Sequence, residues 1–153
     1  MTNTVEPIEG EGVPNILAPI RDDRDTDWAV AFLAKLHQRE RIRVHLLSVQ
    51  APYNGHVRMF FKDVQVRAFQ REDAQKELAP VCKALDRAGV PYNTHVVVGY
   101  AAEEIARFAQ RHNCRQIVMG PPKGRGLSEL ILGSLGQQVE HLMRVSGRTC
   151  EVL

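Results

Sequence analysis

Short apolar runs alternate with longer helix-period segments along nearly the whole chain, and few folds accept that alternation. Residues 15–20 read as a buried strand closed by the charged turn Arg21-Asp22-Asp23-Arg24-Asp25. A helix follows over 28–38, with Trp28, Ala31, Phe32, Leu33 and Leu36 on a broad apolar face. Asp25 and Thr26 can cap it, and the acidic cluster suits its dipole. Residues 42–49 form a second strand, in which Arg43 and His45 suggest one partly exposed face. A loop from Gln50 to about Phe61 leads to a helical pattern over 62–88, which carries Val64, Ala68, Leu78, Val81 and Leu85. Pro80 is expected to kink or split that helix, Gly89 to cap it, and Pro91 to stop it. Residues 92–98 are the third strand, and Gly99 turns into a helix over 102–112 that buries Ile105, Phe108 and Ala109. Residues 116–119 are a fourth strand, 134–144 a last helix and 149–153 a final short strand.

The pattern implies an α/β fold: a five-stranded, mostly parallel open sheet with right-handed crossovers and helices on both faces, Rossmann-like. Such sheets bind ligands beyond the carboxyl ends of their strands, where the strand order reverses. Pro19-Ile20-Arg21, Ser48-Val49-Gln50 and Met119-Gly120 all stand at such ends.

At 153 residues the chain suits one domain, long enough to bury about 70% of its unfolded surface. We assign residues 14–153 to it and read 1–13, with Glu6, Glu9 and Glu11, as a flexible acidic tail rather than a secretory signal. A formal charge of +2 is too small to argue for nucleic acid, and no apolar run approaches the ~20 residues of a transmembrane helix. Cys82, Cys114 and Cys150 form no Cys-x-x-Cys pair and no metal spacing with the histidines. They read as buried reduced thiols, which implies a cytoplasmic protein.

The segment from Met119 to Ser134 carries the chemistry. The apolar run Gln116-Ile117-Val118-Met119 ends in Gly120-Pro121-Pro122-Lys123-Gly124-Arg125-Gly126, and the chain reaches Gly133-Ser134 as helical periodicity resumes. Glycines admit close backbone approach, and free N–H groups at a helix start face negative charge, so a phosphate-bearing ligand suits the loop. It is neither a Walker loop nor a dinucleotide fingerprint, since Glu129 stands where the latter needs its third glycine. An ordinary strand-to-helix loop, with Gly133 as turn and Ser134 as N-cap, fits the local composition equally well.

Over about residues 14–153 the chain resembles the universal stress protein family. The likeness lies in the Ile-Leu-Ala-Pro first strand, the Leu-Leu-Ser-Val second strand and Val98-Gly99-Tyr100-Ala101-Ala102-Glu103-Glu104-Ile105. Its most specific part is Val118-Met119-Gly120, then Gly126, then Leu132-Gly133-Ser134. Nucleotide-binding members space their motif as Gly, two residues, Gly, nine residues, then Gly-Ser or Gly-Thr. Gly120, Gly133 and Ser134 keep that register, and Lys123 occupies the second glycine.

The resemblance implies ATP, with or without Mg, at the strand ends. Pro19 and Val49 would line the adenine, and Met119 and Gly120 the ribose. Gly133, Ser134 and Leu135 would offer N–H groups and a hydroxyl to the phosphates. Arg21 stands where binders usually carry Asp, and Asp22 or Asp23 offers a substitute carboxylate. Lys123 and Arg21 add cations for phosphate, while Lys123 also adds bulk where close backbone approach is expected. The resemblance further implies a homodimer through the terminal strand, which would otherwise expose an unpaired edge. Arg148-Thr149-Cys150 replaces the family's usual Pro-Val there.

The function expected is that of a cytoplasmic, ATP-binding stress protein whose unidentified protein partners change with ligand state. The alternative is a nucleotide-independent dimeric adaptor of the same fold. No catalytic residue is assigned, and any ATP hydrolysis would be weak. The Ser-Gly-Gly-x-Asp-Ser loop of related ATP pyrophosphatases is missing, and His37, His45, His95, His112 and His141 fall on separate elements as solvated or satisfied core residues. Cations Arg107, Arg111, His112 and Arg115 gather where a helix ends and complement its dipole. The run Val57-Arg58-Met59-Phe60-Phe61-Lys62 could contact a membrane surface or a partner, but the expected reading is a loop packed back on the domain.

Overall fold

The computed structural model describes residues 12–21, 26–119, 134–147 and 150–153. Its strands are β1 (Asn15–Ile20), β2 (Arg43–Gln50), β3 (Tyr92–Val98), β4 (Cys114–Ile117) and β5 (Glu151–Val152). They form one sheet in the order β3-β2-β1-β4-β5, and every pairing is parallel. The helices are α1 (Thr26–Arg39), α2 (Gly55–Arg58), α3 (Asp63–Ala88), α4 (Ala101–Arg111) and α5 (Ser134–Val145). The α/β expectation is met, with β1 and β3 at the residues anticipated.

Period-two alternation sorts each strand between two cores. Ile16, Ala18, Ile20, Val44 and Leu46 pack with Ala29 and Leu33 of α1 and Leu78, Val81 and Leu85 of α3. Leu17, Leu47 and Ile117 point the other way, onto Ile105, Phe108 and Ala109 of α4 and Val139 and Met143 of α5. Trp28 and Phe32, one turn apart on α1, stack at 5.4 Å beside the first core.

Three local expectations need correction. Pro80 does not split α3, which runs unbroken for 26 residues. Its ring sits on the exposed side, while Leu78 and Val81 on either flank are buried and hold both halves on the sheet. Thr26 does not cap α1: it lies inside the first turn, and its buried hydroxyl has no hydrogen-bond partner among the described residues. Asp25, the other candidate cap, lies outside the described residues.

The third concerns residues 57–62, which do not pack back as a loop. They begin with the end of α2 and lead into α3, and although Val57 is half-buried, Met59 and Phe60 are 80% and 72% exposed. Gly89 does end α3 as expected, at φ 70°, the left-handed conformation that favours glycine. Among the described residues no helix is long and apolar enough to cross a membrane.

Candidate functional site at the carboxyl edge of the sheet

The chain order sets where the sheet can open. From β1 the chain moves outward through β2 to β3, then crosses to the other side of β1 for β4 and β5. Successive crossovers therefore leave on opposite sides of β1, and a crevice forms between the carboxyl ends of β1 and β4.

Proline helps to open it. Val118 N donates to Leu17 O at 2.8 Å, so the Leu17 peptide faces β4. In a parallel strand the peptide two residues on faces the same way, and that residue is Pro19, which has no N–H. The loss is harmless because the β1–β4 pairing ends here: it stops at Leu17↔Ile117, whereas β1–β2 runs on to Ile20↔Ser48, and Met119 N, on the other side of its strand, donates to Leu153 O of the β5 segment at 2.6 Å. A proline is thus tolerated in a central strand, at the point where one side of its ladder ends.

Parallel strands also aim helix starts at this edge. Helices α1, α4 and α5 each follow a strand at its carboxyl end, and the first N–H groups of a helix have no partner within it. Their partial positive charge makes the edge suited to an anion.

The structure brings several sequence-predicted residues to this edge. Pro19 is buried in β1 and Arg21 is exposed just past it. Val49, Met119 and Leu135 are half-buried and pack against the same α4–α5 core. Ser134 begins α5. Gly120, Lys123, Gly126 and Gly133 lie outside the described residues, as do Asp22 and Asp23.

Sequence reasoning missed a polar network beside this crevice. Ser48, fully buried in β2, donates its hydroxyl to Glu77 Oε2 of α3 at 2.6 Å. Gln50 Nε2 donates to Ser48 Oγ at 2.9 Å and to the same carboxylate at 3.2 Å. Gly99 N donates to Gln50 O at 3.0 Å, and a Cβ on Gly99 would come within 2.7 Å of the Glu104 side chain. Gly99 turns from β3 into α4, as the sequence suggested.

The opposite, amino edge carries a second cluster that sequence also missed. Asn15, His45, His95 and His112 come together from four places in the chain. Asn15 Nδ2 donates to His112 O at 2.8 Å, which leaves Asn15 Oδ1 to accept from His45 Nε2 at 3.1 Å. His45 Nδ1 must then accept from His95 Nε2, 3.0 Å away. Phe108 lies over the group, stacked on His112 at 4.1 Å and edge-on to His95 at 4.7 Å.

Burial holds the His45 ring down to about pH 4, with the neighbouring His95, His112 and Arg43 adding to the effect. His95 and His112 are also lowered, chiefly by burial. Among the described residues no group of histidines, cysteines and carboxylates is arranged to hold a metal ion. The cysteines are free thiols, and burial raises Cys114 to about 12 and, with Glu151 adding, Cys150 to about 11, so neither is an activated nucleophile.

Comparison with known proteins fits this architecture. Residues 12–146 match the profile of the Universal stress protein family. The universal stress protein MJ0531 of Methanocaldococcus jannaschii is 35% identical over 69 residues, which span 45% of this chain and 41% of that protein's length. Among solved structures, the universal stress protein from Archaeoglobus fulgidus superposes with a TM-score of 0.63 at 19% identity, covering 92% of this chain and 96% of that one. The same organism's protein in complex with dAMP gives 0.58 at 17% identity, covering 92% and 95%. An Arabidopsis thaliana family member with AMP bound gives 0.56 at 14%, covering 92% and 89%. The match across most of the chain shows that it belongs to the universal stress protein family.

Proposed function

We propose that this protein binds an adenine nucleotide, ATP in the first instance, in the crevice between the carboxyl ends of β1 and β4, and acts as a ligand-responsive regulatory protein. The carrying observation is the end of the β1–β4 pairing at Leu17↔Ile117, short of Pro19 and Met119, at the reversal of strand order where open α/β sheets take their ligands. Solved relatives of this fold with dAMP and AMP bound support an adenine nucleotide as the ligand.

In this reading Pro19 and Val49 line the base, Met119 and Gly120 border the ribose, and the segment through Gly126 to Gly133, Ser134 and Leu135 meets the phosphates. Arg21, exposed at the mouth, adds a positive charge toward the phosphates. Magnesium would screen the phosphate charge. Catalysis is not part of the proposal.

Isothermal titration of nucleotide-stripped protein with Mg-ATP tests it, alongside Lys123→Gly. Saturable binding that weakens in the variant makes Lys123 a phosphate ligand. Binding only in the variant means that Lys123 closes the site, and no binding in either protein removes the proposal in favour of a nucleotide-independent adaptor.

A homodimer through β5 forms part of the same reading. β5 pairs with β4 on one side, at Gln116↔Glu151 and Ile117↔Val152, and is the last strand of the sheet. A second copy would satisfy its outer backbone groups. Sedimentation velocity of the full chain tests this, with a monomer at micromolar concentration as the contrary result. A cytoplasmic location completes the proposal, and fractionation of cells expressing the chain tests that.

A further inference from the structure

One corner of the fold leaves bulky apolar side chains in water. Between α2 and α3 stands Met59-Phe60-Phe61-Lys62, with Met59 80%, Phe60 72% and Phe61 40% exposed, and Val64 in the first turn of α3 75% exposed. Val64, Ala68 and Arg71 continue outward at i, i+4 and i+7, all exposed, while Val66, Gln70 and Ala74 face the core. The outward residues therefore form a stripe and not a scatter of single exposures.

Hydrogen bonds hold this corner in shape. Asn54 Oδ1 caps α2 by accepting from Val57 N at 2.9 Å, and Met59 N donates to Gly55 O at 3.2 Å. Lys62 N donates to Gln65 Oε1 at 2.9 Å, and Arg58 pairs with Asp63 at 3.0 Å. Phe61 sits edge-on to Phe69 at 5.3 Å. The exposed tip is thus presented by a built turn.

Charge identifies the occupant. Arg58, Lys62, Arg67 and Arg71 stand here with Asp63, which Arg58 already engages; Glu72 and Asp73 follow further along α3, where Lys76 engages Glu72. All four cations are exposed around the apolar tip. The tip itself offers roughly 500 Å² at most, short of the ~800 Å² per partner of a standard protein interface. Bulky apolar groups ringed by cations suit a layer that is apolar inside and anionic at its surface.

We propose that the α2–α3 corner docks this protein on anionic lipid surfaces. Met59, Phe60 and Val64 enter the headgroup–acyl boundary, while Lys62, Arg67 and Arg71 lie at the level of the phosphates. The proposal does not rest on nucleotide binding.

Co-sedimentation of the full chain with vesicles tests it, using pure phosphatidylcholine against an equimolar mixture with phosphatidylglycerol. The protein should pellet with the anionic vesicles, about tenfold or more above its partition onto neutral ones, and should be released near 0.5 M salt. Replacing Met59→Ser and Phe60→Ser together should lower that partition at least about tenfold, as should Arg67→Glu with Arg71→Glu. Both pairs are exposed, and an unchanged melting temperature checks that the fold is kept. Failure of the parent protein to pellet with anionic vesicles overturns the proposal, and so does equal binding of the serine variant. A dimer that the serine substitutions dissolve in vesicle-free solution would also overturn it, because the patch would then be a contact between copies.

Discussion

At the amino edge of the sheet, Asn15, His45, His95 and the His112 carbonyl form a chain of hydrogen bonds in which each donor on that path has an acceptor. At the carboxyl end of the same strands, β1 presents a proline where an N–H would be, its pairing with β4 stops at Leu17↔Ile117, and α1, α4 and α5 begin on that side. Both edges belong to the same buried strands, so burial alone does not distinguish them. The difference is in how backbone and side-chain polar groups are settled. The amino edge pairs its polar side chains with one another across β1, β2 and β3, whereas the carboxyl edge gathers helix starts, whose first N–H groups have no partner within the helix. On the proposed function, structural reinforcement and ligand binding are separated along the length of one strand.

The largest expected consequence is in the response to acid. An unfolded histidine titrates near 6.5, and folded His45 near 4, so the native state binds fewer protons between those values. The stabilisation is complete above pH 6.5, is lost progressively as pH falls toward 4, and amounts to about 3 kcal/mol. His95 and His112 push in the same direction. Urea denaturation across pH 7.5 to about 5 checks this, and stability that stays level or rises on acidification would refute it. His45→Gln should flatten the curve.

Removing the linking amide should cost less. Asn15→Ala strands the His45 ring N–H and the His112 carbonyl, and we expect about 2 kcal/mol of destabilisation at pH 7.5, read as a shift in urea midpoint. Ser48→Ala near the carboxyl edge should cost about 1 kcal/mol, since Gln50 still donates to Glu77. Arg21→Gln should be the mildest for folding, within about 0.5 kcal/mol, because the side chain is exposed. It should nonetheless weaken nucleotide binding several-fold. A large loss of stability from Arg21→Gln would erase the contrast between the two edges.

Much of the fold was legible because its determinants are local. Alternating apolar runs with Gly89 and Gly99 as punctuation marked β1 and β3 to the residue and β4, β5 and α1 to within about two, while α2 fell in a stretch read as loop. Pro80 misled because helix continuity across a proline depends on tertiary packing at Leu78 and Val81, which local rules do not weigh. Met59 and Phe60 misled for the converse reason: apolarity suggested burial, whereas a capped turn faces them outward.

The amino-edge cluster was unreadable without strand register. His45 and His95 are 50 residues apart, and they meet only because Leu47 pairs with His95 and both strands turn their odd-numbered side chains toward α4. Matching parity in adjacent parallel strands is the signal that could have found them. At the candidate site, the placement of Pro19, Arg21, Val49 and Met119 at strand ends followed from the alternating pattern, while Ser134 and Leu135 entered through the family resemblance. The glycine-rich segment, with Gly120, Lys123, Gly126 and Gly133, was legible as a motif alone, and it lies outside the described residues.

Amide chemical-shift mapping during titration with Mg-ATP tests the division of the sheet most directly. The account predicts that the shifts concentrate at Ile20, Arg21, Val49, Met119, Ser134 and Leu135, with Asn15, His45 and His95 unmoved. Saturable shifts centred on the amino edge, or none anywhere at millimolar nucleotide, would contradict it.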